Sequence, residues 1–559
     1  MIRIYADSKP ATPYECMIAK PAKFIHNQVQ YPMSSFSPST FFKALIFAAL
    51  ASVQLPIATF GEDGADAPES VDTDLLLPLS EALQIGLQQN FGLQVQTLDP
   101  RIAREETTIA ESTFDPRLSA SVSWAESKSA QAASTLEGAA QPEDRDMNAE
   151  ANVSKRFSPG TEVTAGTGVN RYETNSSNAL LDPDYRSEFG VELRQPLLRD
   201  FGPKVNLAPV RSARAGFQQS QIEYEENLAS FFEILVSAYW ETAAAIRRLE
   251  LSQSSVDLAQ TILNRTQKEF DLGLATRSDI LQSKAELATR MESRLGFEKE
   301  VSDRMDQLRF VLGENLTDTE EPFLTSPLPD PPEESQSISE ILAEALNFDP
   351  TRRALEKERI RRENDLLVST NTTRPDLDLV LGGDYQGREE EFGESYSRAL
   401  DQDGYRWRAG IELSFPWGFA EQRARERQAM LRLRQTEIRI DEAEAQVRQA
   451  VRTAWRQLEN GRAQLETARA TVLLREEVLL AEEARRERGL ADISDVLQAA
   501  RLLDDARLRE VDAVLATLLA HTRLGQLDGN IFAQNGYELL NLTGRTAGAD
   551  SAQTTENDS

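Results

Sequence analysis

The chain has 559 residues, 27% of them charged and 7% aromatic, with a formal net charge of −30. That acidity argues against a nucleic-acid partner, because phosphate binding needs a basic surface, and it fits either plain solubility or a functional acidic surface. A single cysteine, Cys16, excludes an internal disulfide framework, and two histidines, His26 and His521, leave almost nothing for a Cys/His zinc site.

The N-terminus carries an apolar run, Phe41 to Val53, with Lys43 as a weak positive flank. Its length suits a signal peptide and falls short of a membrane span. The 40 residues before it are long for a leader, and a start at Met33 would leave a normal signal of about 30 residues. Residues 1–60 are therefore expected to be a signal-peptide region, cleaved between Ala58 and Ala67, with an acidic linker at 61–78. Cys16 precedes the run and so is not a lipidated mature N-terminus. Nothing later holds 18 consecutive apolar residues, so any membrane entry must use strands.

From Leu79 the spacing of Leu79, Leu83 and Leu87 predicts a helix, with Ser80 as N-cap. It is expected to reach about Thr113, broken or kinked at Pro100. After Pro116 the period becomes 2. Leu118, Ala120, Val122 and Trp124 alternate with Ser119, Ser121 and Ser123, which predicts a strand. A polar loop of about 25 residues is expected next. Val153 to Phe157, the turn Ser158-Pro159-Gly160-Thr161, and Val163, Ala165, Thr167 and Val169 then read as a hairpin. Phe189, Val191 and Leu193 mark a further strand.

A very long helix follows, from about Asn206 to Leu272, roughly 100 Å at 1.5 Å per residue. Leu228, Phe231, Leu235, Ala238, Thr242, Ala245, Leu249, Ser252, Val256, Ala259 and Leu263 alternate 3 and 4 apart, a heptad seam. Its many small residues suit close, side-by-side packing, although an ordinary antiparallel coiled coil has the same seam. A turn at Gly273 returns the chain in a second helix to about 312.

The same plan then repeats. Residues 314–337 form a Pro-rich acidic linker, and residues 338–528 a second copy of 79–313. Ile338 to Leu346 echoes Leu79 to Leu83. Leu377, Leu379, Leu381, Gly383 and Tyr385, then Tyr405, Trp407, Ala409, Ile411, Leu413 and Phe415, predict strands within about 376–415. Val447, Val451, Ala454, Leu458, Gly461, Leu465, Ala468 and Val472 repeat the first seam 216 positions later. The segment Gly489-Leu490-Ala491-Asp492-Ile493-Ser494-Asp495-Val496-Leu497-Gln498 repeats Gly273-Leu274-Ala275-Thr276-Arg277-Ser278-Asp279-Ile280-Leu281-Gln282. Residues 529–559 read as a disordered tail.

No Gly-rich phosphate loop or nucleophile elbow is present, and His521 in its helical pattern reads as packed or surface. Neither an enzyme, a cofactor nor a metal is expected. The strands are few and apolar on one face, with Trp124, Tyr385, Tyr405 and Trp407 as candidate girdle aromatics. In water such a sheet is an open-edged sticky patch; in a bilayer its alternation suits lipid outside and a lumen inside. One chain has too few strands to close a wide barrel, so several must share it.

This layout resembles the TolC-type outer membrane efflux proteins. The residues carrying the resemblance are Leu79-Ser80-Glu81-Ala82-Leu83 with Asn90, and Gln195-Pro196-Leu197-Leu198-Arg199-Asp200-Phe201-Gly202 with its weaker copy Phe415-Pro416-Trp417-Gly418. The paired Gly turns complete it. The resemblance implies a mainly α fold with a membrane β part: tandem long α-hairpins forming a trimeric α-barrel, joined to a shared transmembrane β-barrel. It implies an outer-membrane location reaching into the periplasm, and passive conduction in a tripartite efflux or type I secretion system. The implied partners are two further copies, outer-membrane lipid, a periplasmic adaptor, and an inner-membrane transporter of the resistance-nodulation-division or ABC type. Gly273, Leu274, Gly489 and Leu490 become adaptor contacts at the periplasmic tip. Asp495 falls on the first acidic ring of the family's gate; three residues on, this chain has Gln498 in place of a second acid. Asp495 reads equally as a helix cap beside Ser494, and Asp279 as a cap. The second turn is expected at the pore mouth and the first outside it. The hairpin at 153–172 exceeds the two-plus-two strand pattern and either extends the barrel wall or forms a surface loop. The competing reading is a soluble periplasmic coiled-coil adaptor, which needs no lipid-facing girdle.

Overall fold

The computed structural model of the chain describes residues 76–128, 141–313, 324–332, 336–402 and 404–538. The signal-like run, Cys16, His26 and residues 539–559 lie outside them.

Strand β1 (Leu76–Leu77) leads into helices α1 (Leu79–Gln89), α2 (Phe91–Gln96) and α3 (Asp99–Glu111). The expected single helix is thus three. Asn90 ends α1 and caps α2, its side chain accepting from Leu93 N at 2.9 Å. Pro100 sits in the first turn of α3, where a missing N–H leaves no bond unmade. Ser80 is not the cap of α1, which starts one residue earlier behind Pro78. Strands β2 (Arg117–Lys128), β3 (Glu143–Arg156), β4 (Glu162–Thr174) and β5 (Asp184–Pro196) follow, then the short α4 (Pro203–Asn206) and the long pair α5 (Ala208–Asp271) and α6 (Arg277–Leu312).

The second repeat runs β6 (Leu324–Thr325), α7 (Ile338–Phe348), α8 (Pro350–Asn371), β7 (Asp376–Glu389), α9 (Phe392–Leu400), β8 (Gly404–Ser414), α10 (Ala420–Glu487), α11 (Ile493–Asp528) and α12 (Ile531–Gln534). The two expected linkers are partly ordered, because β1 and β6, one from each, pair in parallel. Helices α5 and α10 hold 64 and 68 residues, and α6 and α11 hold 36 each. At 1.5 Å per residue the long arms reach about 100 Å.

The seams are the contact surfaces. Leu228, Phe231, Leu235, Ala238, Thr242, Ala245, Ser252 and Ala259 are buried in the first copy; Val447, Val451, Ala454, Leu458, Gly461, Leu465 and Val472 are buried in the second. Small residues bring the backbones close, as at Gly461, where a Cβ would come within 2.9 Å of Thr517 Oγ1. Helix α5 packs against α6 on one side and α11 on the other, and α11 against α10. Nearer the sheet the row is α3, α5, α8, α10. A belt of core joins the copies: Leu83, Phe232, Leu235, Tyr239, Leu308, Leu312 and Phe532 cluster around α1, and Ile341, Val451, Leu458 and Leu524 around α7.

Three further expectations differ from the structure. The polar loop after Trp124 is shorter than expected, because β3 already begins at Glu143. Its charged start pairs across the strands, with Arg145 Nε donating to Glu126 at 3.1 Å. The tail from 529 is ordered through 538: Ile531 and Phe532 are buried, and Phe232 meets the rings of Phe532 and Tyr537 edge-on at 5.0 and 5.3 Å. Between β7 and β8 lies helix α9. Ser395 and Ala399 seat it against Gly387, whose missing side chain admits the α9 backbone.

Candidate functional site: a two-faced sheet and paired helical tips

Strands β2-β3-β4-β5-β7-β8 form one antiparallel sheet of six in that order. Directly paired residues share a face, so the register assigns every side chain. One face carries Leu118, Val122 and Trp124 of β2, Met147, Ala151 and Val153 of β3, Val163 and Val169 of β4, Phe189, Val191 and Leu193 of β5, Leu377, Leu381 and Tyr385 of β7, and Tyr405, Trp407, Ile411 and Leu413 of β8. Most of it is bare, with Trp407 74% exposed and Leu118, Val122, Tyr405 and Ile411 similar, while α9 covers the far end at Ser187 and Gly387.

The opposite face is polar and laced with ion pairs. Arg194 bridges to Asp378 at 2.6 Å and Glu412 at 3.1 Å, Arg388 to Asp184 at 2.7 Å, and Arg406 to Asp384 at 3.0 Å; Arg408 meets Glu192. This face is concave, with clefts over Gly166, Gly190, Gly382 and Arg406. A sheet apolar on one face and charged on the other matches a wall between lipid and a watery lumen.

The four girdle candidates Trp124, Tyr385, Tyr405 and Trp407 all stand on the apolar face, towards the strand ends away from the long helices. A second aromatic row at the helix end escapes the sequence reading. Phe157, Phe201, Phe415 and Trp417 are exposed there, Trp417 at 95%. The spacing Phe415-x-Trp417-x-Phe419 next to the Pro-Trp-Gly motif is the available signal. Tyr405 to Phe415 spans roughly 26 Å along the membrane normal for a strand tilted by about 40°, the height of an apolar barrel band. Among the described residues, no helix is long and apolar enough to cross a membrane.

At the other end the long helices turn back. Gly273 and Gly489 have φ of +73° and +71°. Each follows a helix whose end is closed the same way: Gly273 N–H donates to Phe270 O at 2.9 Å and Leu274 N–H to Glu269 O at 2.8 Å. Gly489 and Leu490 repeat this on Arg486 and Arg485, both at 2.9 Å. This is the Schellman closure, which needs a left-handed residue and normally turns the next apolar side chain inward. Here Leu274 and Leu490 are 75% and 65% exposed, leaving an apolar spot on each tip.

Asp279 and Asp495 both close capping boxes. Thr276 N–H donates to Asp279 at 2.8 Å, and Asp492 N–H donates to Asp495 at 3.1 Å. Capping therefore holds for both, and Asp495 stays exposed, with Gln498 exposed one turn on. Between the tips Arg486 donates to Glu269 at 3.0 Å.

Further along the helices lies an ionic cluster absent from the sequence reading. Glu286, 2% exposed, accepts from Arg290 Nε at 3.0 Å and from Arg501 Nε at 2.7 Å. Arg290 also reaches Ser255 and Asp504, so α5, α6 and α11 meet at one point. Burial pushes the Glu286 carboxyl up, but Arg501 and Arg290 outweigh it and hold it below the ordinary carboxylate value. His521 is half-buried, and burial with the nearby Arg462 charge lowers its pKa.

The sequence model of the outer membrane efflux proteins matches residues 148–314 and 341–530. No curated protein sequence matches. Among solved structures, the outer membrane protein VceC from Vibrio cholerae is 16% identical with a TM-score of 0.58, over 81% of this chain and 96% of its own. The Campylobacter jejuni CmeC outer membrane channel is 16% identical with a TM-score of 0.58, over 82% and 86%. The Neisseria gonorrhoeae MtrE outer membrane channel is 16% identical with a TM-score of 0.58, over 81% and 88%. At these identities the likeness to solved structures is one of fold, whereas the sequence model spans more than half of the chain. The chain belongs to the outer membrane efflux protein family.

Proposed function

We propose that the chain is the exit duct of a tripartite efflux or type I secretion system, passively conducting substrates handed over by an inner-membrane transporter of the resistance-nodulation-division or ABC type. The observation that carries this reading is the two-faced sheet, apolar and largely uncovered on one side, set on helices about 100 Å long. Its apolar face suits lipid and its concave charged face suits water. The outer strands β2 and β8 each keep one unpaired edge, which further copies would pair in a shared barrel. Three copies would close both the strand ring and the helix ring. A soluble adaptor would leave the same face in water.

In this reading Gly273, Leu274, Gly489 and Leu490 meet a periplasmic adaptor, Asp495 with Gln498 narrows the pore, and Trp124, Tyr385, Tyr405 and Trp407 sit at the membrane rim. The exposed leucines on otherwise polar tips favour an apolar docking contact. The test is Leu274→Glu combined with Leu490→Glu. Adaptor capture should be lost while the protein stays in the outer-membrane fraction. Capture unchanged would overturn the docking role, and wild-type protein in the soluble periplasmic fraction would overturn the duct.

A further inference from the structure

Taking the duct reading as its basis, we propose that the hairpin β3–β4 is part of the lipid-facing wall, and that it widens the membrane ring by half over the ring that four strands per chain would form.

Both faces continue through the hairpin. Val153 of β3 pairs with Leu118 of β2 and with Ala165 of β4, and Val163 of β4 pairs with Leu193 of β5. The apolar surface therefore crosses the hairpin between Lys155 and Arg171, which stand on the same face nearer the two ends of the strands. Asn152, Glu150 and Asn148 lie on the charged side with Gly190 and Arg406, around a single cleft in the case of Glu150 and Asn152. A surface loop outside the wall would have no reason to keep both faces in phase with four neighbouring strands.

The hairpin is also anchored. The hairpin turn sits against the hinge where β5 becomes α5. Gly202 N–H donates to Pro159 O at 3.0 Å, and Asn206 donates to Asp200 O at 2.7 Å. Gly160 has φ +94°, and a Cβ there would lie 2.4 Å from Asp200 O, so the turn and hinge are fitted to each other. The base of the hairpin is thus held at the level where the helices begin.

Width follows from the strand count. Strands lie about 4.8 Å apart and tilt by about 40°, so each takes roughly 6.3 Å of circumference. Six strands per chain cover about 38 Å, and four would cover about 25 Å. Three copies give a ring of backbone about 36 Å across, against about 24 Å without the hairpin.

The test uses full-length protein in lipid nanodiscs, with Cys16 replaced by Ser and single cysteines carrying a fluorophore at Val153, Asn152 and Ile411. Brominated lipid should quench the Val153 label several-fold more than the Asn152 label, while aqueous iodide should do the reverse. Equal quenching at the two would overturn the proposal. The Ile411 label checks the underlying reading. If Ile411 is quenched by lipid and Val153 is not, the hairpin fails and the duct stands; if Ile411 is not quenched, the membrane reading itself fails. Electron microscopy of wild-type particles should show a membrane ring of backbone about 36 Å across, and a ring near 24 Å would overturn the bore.

Discussion

Arg486, in the last turn of α10, donates to Glu269, in the last turn of α5, at 3.0 Å, so the tip of one repeat is tied to the tip of the other. Arg486 is the more enclosed partner, its side chain 14% exposed. Glu269→Ala leaves a largely buried guanidinium without its carboxylate, a loss of about 1–2 kcal/mol once residual water is allowed for. The tips should then part more readily. Closed-state conductance in a planar bilayer should rise several-fold, and Arg486→Ala should behave alike. Unchanged conductance in both would mean the pair does not restrain the tips.

Glu286 should make the helical part acid-sensitive. Its folded pKa lies below the ordinary value of 4.5, so its stabilising contribution is complete above that pH and is lost as pH falls through the lower folded value. At pH 7, Glu286→Gln should cost about 1–3 kcal/mol, because the buried Arg290 loses one of its two carboxylate partners and keeps Asp504. At pH 4 the gap to wild type should narrow. Thermal unfolding followed by circular dichroism at both pH values checks this, and a gap independent of pH would contradict it.

Asp495 and Asp279 offer a matched pair. Each closes a capping box, so replacing either by Ala should cost its helix about 1 kcal/mol. Only Asp495→Ala should weaken cation preference and block by divalent ions, if the second tip alone faces the axis. Reversal potentials in asymmetric salt measure the difference. Equal effects of the two substitutions would remove the asymmetry between the tips.

The sheet faces can be separated by neighbours. Ala409→Arg puts a charge on the apolar face at mid-strand and should cost about 2–4 kcal/mol of membrane stability. Gly410→Arg, one residue on, points to the polar face, where a Cβ meets nothing within 4 Å. It should assemble normally. Heat-modifiable mobility on gels from outer-membrane fractions reports assembly, and tolerance of Ala409→Arg would count against lipid contact.

The helical hairpins are legible in the chain because their seams recur over dozens of residues, and the Gly turns because only a left-handed residue closes a helix that way. Strands β2, β5, β7 and β8 show their alternation plainly. The start of β3 does not: Glu143, Asp144, Arg145 and Asp146 charge both faces, and Ala149 and Ala151 are weak apolar markers. Helix α9 has nine residues and rests on backbone contact with Gly387, which no periodicity reports. Of the buried ionic cluster only the i, i+4 pair Glu286 and Arg290 is local. Arg501 and Asp504 join it from the other repeat, through tertiary packing.

On the duct reading, assembled copies of this chain enclose one continuous water-filled path from the outer membrane through the helices. Single-channel recording of the purified full-length assembly in a planar bilayer tests this. Discrete, reproducible conductance steps are predicted, increasing when the Arg486–Glu269 tie is cut. An intact, membrane-inserted assembly that passes no current, with that tie present or removed, would contradict the account.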